Sequence, residues 1–268
     1  KNNYVYGLTN YWPMNEGHGT IAADSRHTHD FEVNNRWEIN NVNYSLNLTE
    51  KGGVTADISR INTSQGDSYA IELWTLAFKK ACTLFETGSV AENKLCLRYD
   101  EDMNLWLDYG ERSQMVASAE DFPNSYSWHH LALNVVRGQA ASFYYDGQRT
   151  AVIAERDVPM MEGQQMTIGE GLNGNIDELR IWRAALTENR LLANRYNCID
   201  TADVYSRGLV AYYPFEKEGV VNGVATKVAT LENMAPSSLP TTLTLNNPSE
   251  NVWASSTPPL KRASRVNT

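Results

Sequence analysis

The sequence predicts an all-β protein, an antiparallel sandwich of the jelly-roll kind with two sheets and one short helix. Short runs of β-type residues dominate the chain, and clusters of Gly, Asn, Asp and Ser separate them at short intervals. A helix-like pattern occurs once, so the alternation of strands and helices that marks a parallel α/β fold is missing. With 268 residues, the chain is long enough for one large β domain with an appendage.

The predicted strands differ in how strongly the sequence marks them. Asp146-Gly147 is the sharpest signal, because this pair supplies the positive φ angles of a two-residue hairpin turn. Leu131, Leu133 and Val135 alternate with other residues and so define one apolar strand face. The predicted strands run over residues 5–12, 37–48, 69–78, 95–99, 105–109, 129–136, 141–145, 151–154, 166–168 and 176–182.

The predicted helix follows the last of these strands. Thr187 is typical of an N-cap and Glu188 of an acidic first turn. Leu191, Leu192 and Tyr196 follow at helical spacing, so we expect one short helix on a strand-built domain.

Composition excludes several classes of partner. The net charge of −9 disfavours a general nucleic-acid binder, because an acidic chain repels phosphate backbones. No apolar run approaches the roughly 18 residues that a membrane-spanning helix needs, so we expect no membrane insertion of this segment. The chain begins at Lys1, and we expect a processed piece of a longer chain that carries further domains.

An internal repeat divides the chain. Residues 7–14, Gly-Leu-Thr-Asn-Tyr-Trp-Pro-Met, return 201 positions later as Gly-Leu-Val-Ala-Tyr-Tyr-Pro-Phe over 208–215. We therefore expect a domain over 1–198, a linker over 199–207, and over 208–268 a partial, degenerate second copy with a linker tail. About 60 residues are too few for a second sandwich, so this copy is either truncated or packed on the first domain.

Three ordered segments together resemble the laminin-G-like, concanavalin A-like lectin/glucanase jelly-roll family, whose modules occur in strings in surface proteins of the Bacteroidetes type. They cover residues of about 5–198. The quoted segments are Gly7-Leu8 to Asp24-Ser25, then Trp128-His129-His130-Leu131-Ala132 with Tyr144-Tyr145-Asp146-Gly147, then Ile168-Gly169 with Gly174-Asn175-Ile176-Asp177-Glu178-Leu179-Arg180-Ile181-Trp182 and Ala185-Leu186-Thr187.

The resemblance implies a structural Ca²⁺ ion where the early Asp-Ser turn meets the Ile-Asp-Glu strand. Carried over to this chain, the implied ligands are Asp24 and Asp177, with backbone carbonyls and water completing the six to eight oxygens that Ca²⁺ needs. The alternative is that Asp177 accepts backbone N–H bonds and fixes a loop.

A candidate binding surface lies in a predicted strand. Asn104, Trp106 and Asp108 share one strand face by the period of two, which would make a polar platform around an aromatic ring. Trp37, Tyr109, Tyr126 and Trp253 are further aromatic candidates for stacking on sugars. The competing interpretation is that Trp106 fills a gap under a loop.

Catalytic patterns are weak. The hydrolase branch of this architecture carries Glu-x-Asp-x-x-Glu on one strand, whereas here Glu155 and Asp157 are followed by Met160. We expect no enzyme but an extracytoplasmic recognition module of a larger cell-surface protein, binding a glycan or a surface protein in carbohydrate recognition or adhesion. A structural spacer without a ligand and a glycoside hydrolase with an atypical carboxylate pair stay open. Cys82 and Cys96 could form a disulfide across a hairpin, which sequence alone does not decide.

Overall fold

A computed structural model of the chain describes a β sandwich and two further pairs of short strands. It describes residues 21–22, 31–32, 45–48, 52–60, 67–78, 81–88, 94–124, 126–154, 161, 165–199, 208–215, 220–221, 224–225, 230–231, 233–236, 243–246, 253–254 and 258–260. The chain divides into two compact units, Lys1–Val42 and Asn43–Thr268. The predicted strand over 5–12 lies outside the described residues.

The first unit holds two strands that pair antiparallel, β1 (Ile21–Ala22) and β2 (Phe31–Glu32). The second unit holds the rest, numbered in chain order. These are β3 (Ser45–Leu48), β4 (Val54–Asp57), β5 (Tyr69–Ala77), β6 (Cys82–Thr87), β7 (Leu95–Tyr99), β8 (Leu105–Tyr109), β9 (Arg112–Ala117), β10 (His129–Val135), β11 (Ala141–Tyr145), β12 (Gln148–Ile153), β13 (Gln165–Ile168), β14 (Gly174–Trp182), α1 (Glu188–Asn194), β15 (Leu209–Tyr213), β16 (Val220–Val221), β17 (Val224–Ala225), β18 (Thr230–Leu231), β19 (Leu243–Leu245) and β20 (Trp253–Ala254).

Two antiparallel sheets form the sandwich, which confirms the predicted fold class. Sheet I has the order β12-β11-β10-β5-β14-β3-β20, with β15 also paired to β14. Sheet II has the order β18-β19-β4-β13-β6-β7-β8-β9. β16 and β17 pair only with each other.

The core lies between the two sheets. Leu131, Leu133 and Val135 all point into it, as their alternation predicts. The Asp146-Gly147 turn between β11 and β12 also has the predicted geometry, with φ of 50° and 80°. Strands of both sheets, among them β5 and β14 of sheet I and β7 and β8 of sheet II, supply further large core side chains.

A second, smaller core lies on the outer side of sheet I. Ala70, Ala132 and Trp182 pack there against Leu186 and Leu191 of residues 186–197, which contain α1 and which we call the α1 segment. The Thr187 side chain accepts the N–H of Arg190, as its prediction as N-cap requires. Because both faces of these strands are covered, all residues of β10 and β14 are buried.

The C-terminal segment is built into the sandwich. β15, the described part of the repeat's second copy, pairs antiparallel with β14. Further along the chain, β19 pairs with β4 and β20 with β3. Of the two alternatives for residues 208–268, the pairing favours a segment that packs on the preceding strands. Its origin as a partial copy stays a prediction.

Among the strands from β3 to β14 that build the two sheets, sequence patterns missed β4, β6 and β9. They also do not fix the cysteine geometry. On the β6–β7 hairpin, Cys82 lies opposite Tyr99 whereas Cys96 lies opposite Glu86. Cys82 belongs to the core cluster and Cys96 does not. Cys82 and Cys96 carry free thiols, and burial raises the pKa of each to about 12. A disulfide between the two would require a shift of the strand register.

Candidate ligand-binding face

The candidate platform lies on the outer face of sheet II. Along β8, Leu105, Leu107 and Tyr109 are buried, while Trp106 and Asp108 are half-buried. Asn104, just before the strand, is half-buried too. The three predicted residues therefore share one face, as the period of two predicts, and we call the outer face of β6–β9 the open face.

Asp100 holds the Trp106 ring in place. Its carboxylate accepts the indole N–H of Trp106 at 2.7 Å and the side-chain amide of Asn104 at 3.1 Å. It also accepts the backbone N–H groups of Asp102 and Asn104. Burial alone would raise the pKa of Asp100, but these hydrogen bonds outweigh it and lower the pKa.

Asp108 is held by a cation and a hydroxyl group. The Arg98 guanidinium donates to both carboxylate oxygens, at 2.7 and 3.2 Å, and Ser113 Oγ donates at 2.5 Å. Burial opposes ionisation of Asp108, yet the hydrogen bonds from Arg98 and Ser113 prevail and lower its pKa. The carboxylate is therefore fixed as an ionised acceptor.

A row of three side chains crosses the open face. Arg98, Trp106 and Met115 are aligned on neighbouring strands β7, β8 and β9. The Arg98 guanidinium lies 5.8 Å from the centre of the Trp106 ring, and Met115 is 40% exposed. Sequence reasoning missed Arg98 and Met115 because their place depends on cross-strand register. The hairpin between residues 95 and 109 was the signal from which the Arg98–Trp106 pair could have been found.

The outer face of sheet I has a different character. Over β5, β10 and β14 it carries ionisable groups that are buried under the α1 segment, and we call it the covered face. Glu178 adopts φ of 51° at a bulge in the pairing of β14 with β5, so one extra residue interrupts the alternation between Asp177 and Arg180.

Glu178 and Arg180 form the centre of a buried network. The Arg180 guanidinium donates to Glu178 Oε2 and to the backbone carbonyls of Asn194 and Asn197 at the end of α1. The Tyr212 hydroxyl on β15 donates to Glu178 at 2.9 Å. Burial alone would lower the pKa of Arg180, but the negative charges of Glu178 and Glu72 raise it.

Glu72 extends this network along β5. Its Oε1 accepts the indole N–H of Trp182 at 2.7 Å, and its Oε2 lies 3.3 Å from His130 Nε2. Burial alone would raise the pKa of Glu72, but His130, Arg180 and Trp182 together lower it. Arg180 thus holds the α1 segment on the sheet, and His130 pairs with Glu72; neither of these family-type residues faces solvent.

Asp177, an implied Ca²⁺ ligand, is fully buried in β14, and its Oδ1 accepts the backbone N–H of Glu178. That bond is the one expected if the carboxylate fixes the backbone. Asp24 lies outside the described residues, and within the described ranges no group of three His, Cys, Asp or Glu side chains is placed to hold a metal ion.

The other aromatic candidates differ in burial. Tyr109 packs in the core, and Tyr126 is 60% exposed. Trp37 lies outside the described residues, and only the backbone of Trp253, in β20, is described.

A further chain of hydrogen bonds joins Ser127, His129 and Asp146. Ser127 Oγ lies 3.1 Å from His129 Nε2, and His129 Nδ1 lies 2.8 Å from Asp146 Oδ2. Asp146 also accepts the backbone N–H of His130. This chain ties the segment before β10 to the β11–β12 turn.

Comparison with known proteins agrees with this architecture. A carbohydrate-binding protein of Bacteroides ovatus, whose binding activity is itself inferred, has a similar fold with a TM-score of 0.56 at 17% identity; the match covers 82% of this chain and 66% of that one. The binding domain of Botulinum neurotoxin serotype D aligns with a TM-score of 0.44 at 9% identity, over 56% of this chain and 40% of that one. No curated protein matches significantly in sequence.

No helix among the described residues is long and apolar enough to cross a membrane.

The family model of the concanavalin A-like lectin/glucanases superfamily, in its laminin G subgroup, matches residues 49–191. That match spans the paired strands from β4 to β14 and reaches into α1. The chain belongs to the concanavalin A-like lectin/glucanase superfamily.

Proposed function

We propose that this chain is a non-enzymatic, extracytoplasmic recognition module of a larger cell-surface protein, and that it binds carbohydrate on the open face around Trp106. The observation that carries the proposal is the half-buried Trp106 side chain on the open face. Its ring is oriented by its bond to Asp100 and flanked by the polar groups of Arg98, Asn104 and Asp108. The extracytoplasmic and cell-surface setting, the role in adhesion and the further domains rest on the family resemblance of the sequence motifs.

The chemistry of the open face suits a sugar. The apolar face of a pyranose ring stacks on an indole, while its hydroxyl groups need donors and acceptors nearby. Arg98 supplies N–H donors, and Asn104 and Asp108 supply oxygen acceptors. Because internal hydrogen bonds already orient these groups, little side-chain entropy is lost when a ligand binds.

The charge state of the acids supports binding over hydrolysis. A glycosidase needs one carboxylic acid with a raised pKa, so that it can protonate the leaving oxygen. On the open face, the pKa values of Asp100 and Asp108 are both lowered. Glu86, next along the same face, forms a salt bridge with Lys94 at 3.0 Å. These acids are therefore suited to accept hydrogen bonds.

A glycan array tests the proposal against the spacer alternative. We expect the wild type to bind oligosaccharides and Trp106→Ala to lose about tenfold in affinity, since a stacked aromatic ring contributes on the order of 1 kcal/mol. Val152→Ala is the matched control, because Val152 is an exposed apolar residue of β12 in sheet I. Equal glycan binding by Trp106→Ala and wild type would refute the Trp106 site, and no binding by any protein would favour the spacer.

A structural Ca²⁺ ion at Asp24 and Asp177 is a separate proposal. The buried carboxylate of Asp177 supports it, whereas the bond from the Glu178 N–H supports the loop-fixing alternative. If the ion binds, EDTA lowers the melting temperature by mass action, and Asp24→Asn removes that sensitivity. An identical melting temperature with and without EDTA would reject the ion.

A further inference from the structure

We propose a second ligand site at one end of the sandwich, where Tyr126 and Phe78 form an exposed aromatic pair that stacks on the apolar face of a hexopyranose. Their rings are stacked, with centroids 6.2 Å apart and an interplanar angle of 30°. Tyr126 is 60% exposed and Phe78 is 38% exposed. The site shares the ligand class of the proposed function, but it involves none of the residues around Trp106.

The backbone conformation of Tyr126 is the first indication that the exposure of its ring has a function. Tyr126 has φ of 55°, in the left-handed region that residues with a side chain rarely occupy. Such strain persists only where the surrounding structure imposes it, and it occurs most often at ligand sites. Here it holds a large aromatic ring in solvent, although a glycine would adopt the same backbone at no steric cost.

Hydrogen bonds fix the chain on both sides of Tyr126. Before it, the Asn124 side-chain amide donates to the carbonyl of Ala77 at 2.7 Å, which ties the loop to the end of β5 beside Phe78. After it, Ser127 joins His129 and Asp146 as described above. The aromatic pair is therefore preorganised.

Ring packing beneath the loop adds to this rigidity. Phe122 and His129 both pack on the Tyr145 ring, with centroids 5.2 and 4.9 Å away. The bulk of the loop is thus anchored in the sandwich, while Tyr126 stays outside. Since an aromatic ring does not need to be exposed to stabilise this loop, its exposure points to a partner.

The polar groups on and tied to this loop fit a sugar more closely than a purely apolar ligand. The Tyr126 hydroxyl group is both a donor and an acceptor, and the Asp146 carboxylate, whose side chain is 42% exposed, is joined through His129 to Ser127, the residue after Tyr126. An exposed ring that carries a hydroxyl group suits a pyranose, which has one apolar face and a rim of hydroxyls.

The test uses full-length protein on an array of neutral and acidic oligosaccharides, with Tyr126→Ala, Tyr126→Phe, Tyr126→Gly and Trp106→Ala beside wild type. We expect a set of oligosaccharides that depends on this site, for which Tyr126→Ala loses about tenfold in affinity while Tyr126→Phe, which keeps the ring, and Trp106→Ala retain binding. Tyr126→Gly separates binding from folding. It should lose binding as Tyr126→Ala does, yet melt no lower than wild type, because glycine relieves the left-handed backbone.

The outcomes distinguish the two sites. Wild-type affinity in Tyr126→Ala and Tyr126→Gly would overturn this inference, even if Trp106→Ala loses binding and so supports the proposed function. Loss in the Tyr126 variants with full binding in Trp106→Ala would support this site and refute the Trp106 site. An array on which the wild type binds no oligosaccharide would overturn both sites. A melting temperature of Tyr126→Gly below that of wild type would contradict the argument that the Tyr126 backbone is strained.

Discussion

The two outer faces of the sandwich are both made from antiparallel strands that carry charged side chains, but they differ in how far those side chains are buried. On the covered face, the charged side chains of Glu72, Glu178 and Arg180 are almost fully buried. Arg180 bonds to Glu178 and to the α1 segment, and Glu72 accepts the indole N–H of Trp182. On the open face, Arg98 and Asp108 form a comparable ion pair that keeps contact with solvent, with side chains 34% and 15% exposed.

The difference in burial indicates different roles: the covered face stabilises the fold, and the open face presents side chains to solvent. Buried charges are costly unless they are paired, so the covered face tolerates few changes. Partly exposed pairs contribute little to stability, which leaves the residues around Trp106 free to serve binding. The family-type residues His130, Glu178 and Arg180 all lie on the covered side.

Removal of residues 199–268 should have the largest effect on this comparison. A chain that ends at Cys198 lacks β15, so Glu178 loses the Tyr212 hydroxyl bond and β14 loses a paired neighbour. We expect loss of cooperative unfolding, since the change is comparable to the whole stability of a typical domain, about 5–15 kcal/mol. Urea unfolding followed by tryptophan fluorescence measures it. A truncated chain with wild-type stability would show that residues 1–198 fold alone.

Matched arginine variants on the two faces give the next largest effect. Arg180→Met leaves Glu178 buried without its cation and should cost about 3–5 kcal/mol. Arg98→Met, its control on the open face, should cost at most about 1 kcal/mol, because that pair is partly solvated. Free energies of unfolding from urea titrations decide it. Equal losses in the two variants would contradict the distinction between the faces.

Asp100→Asn should have a smaller effect that depends on pH. The lowered pKa of Asp100 in the folded state stabilises the protein above the unfolded pKa, near 3.8, and this contribution is lost as the pH falls through the folded pKa. Asparagine offers one oxygen to the four donors, so we expect a loss of about 1–3 kcal/mol at pH 7.

Melting temperatures between pH 7 and pH 2 measure this dependence. The gap between wild type and Asp100→Asn should narrow as the solution is acidified. A gap that stays constant over the whole range would show that ionised Asp100 does not stabilise the turn before Trp106.

The last prediction is that Ser127 does not react with a probe for nucleophilic serines. Ser127, His129 and Asp146 contact one another in the order of a serine hydrolase triad, but the Asp146 side chain is 42% exposed, whereas a triad aspartate is shielded. A fluorophosphonate probe should therefore leave the protein unlabelled while it labels a serine hydrolase in parallel. Labelling that disappears in Ser127→Ala and His129→Ala would show a nucleophilic serine and contradict the proposal of a non-enzymatic module.

Local patterns were sufficient where one residue type has one structural consequence. The Asp146-Gly147 turn, the Thr187 cap and the face shared by Asn104, Trp106 and Asp108 follow from dihedral preferences and from the strand period. The ordered motifs likewise indicated the family that the match over 49–191 shows. β9 was missed because it is an edge strand whose first residues are exposed and polar.

By itself, the sequence determined the two-sheet fold class, the single α1 helix and which residues of β8 share a face, because backbone propensity and the period of two act between neighbours in the chain. Only the tertiary structure decided that β15 joins β14, that Arg180 is buried while Arg98 is partly exposed, and that Tyr126 meets Phe78. Each of these depends on strand order and register across distant parts of the chain, where burial and charge pairing outweigh local preference.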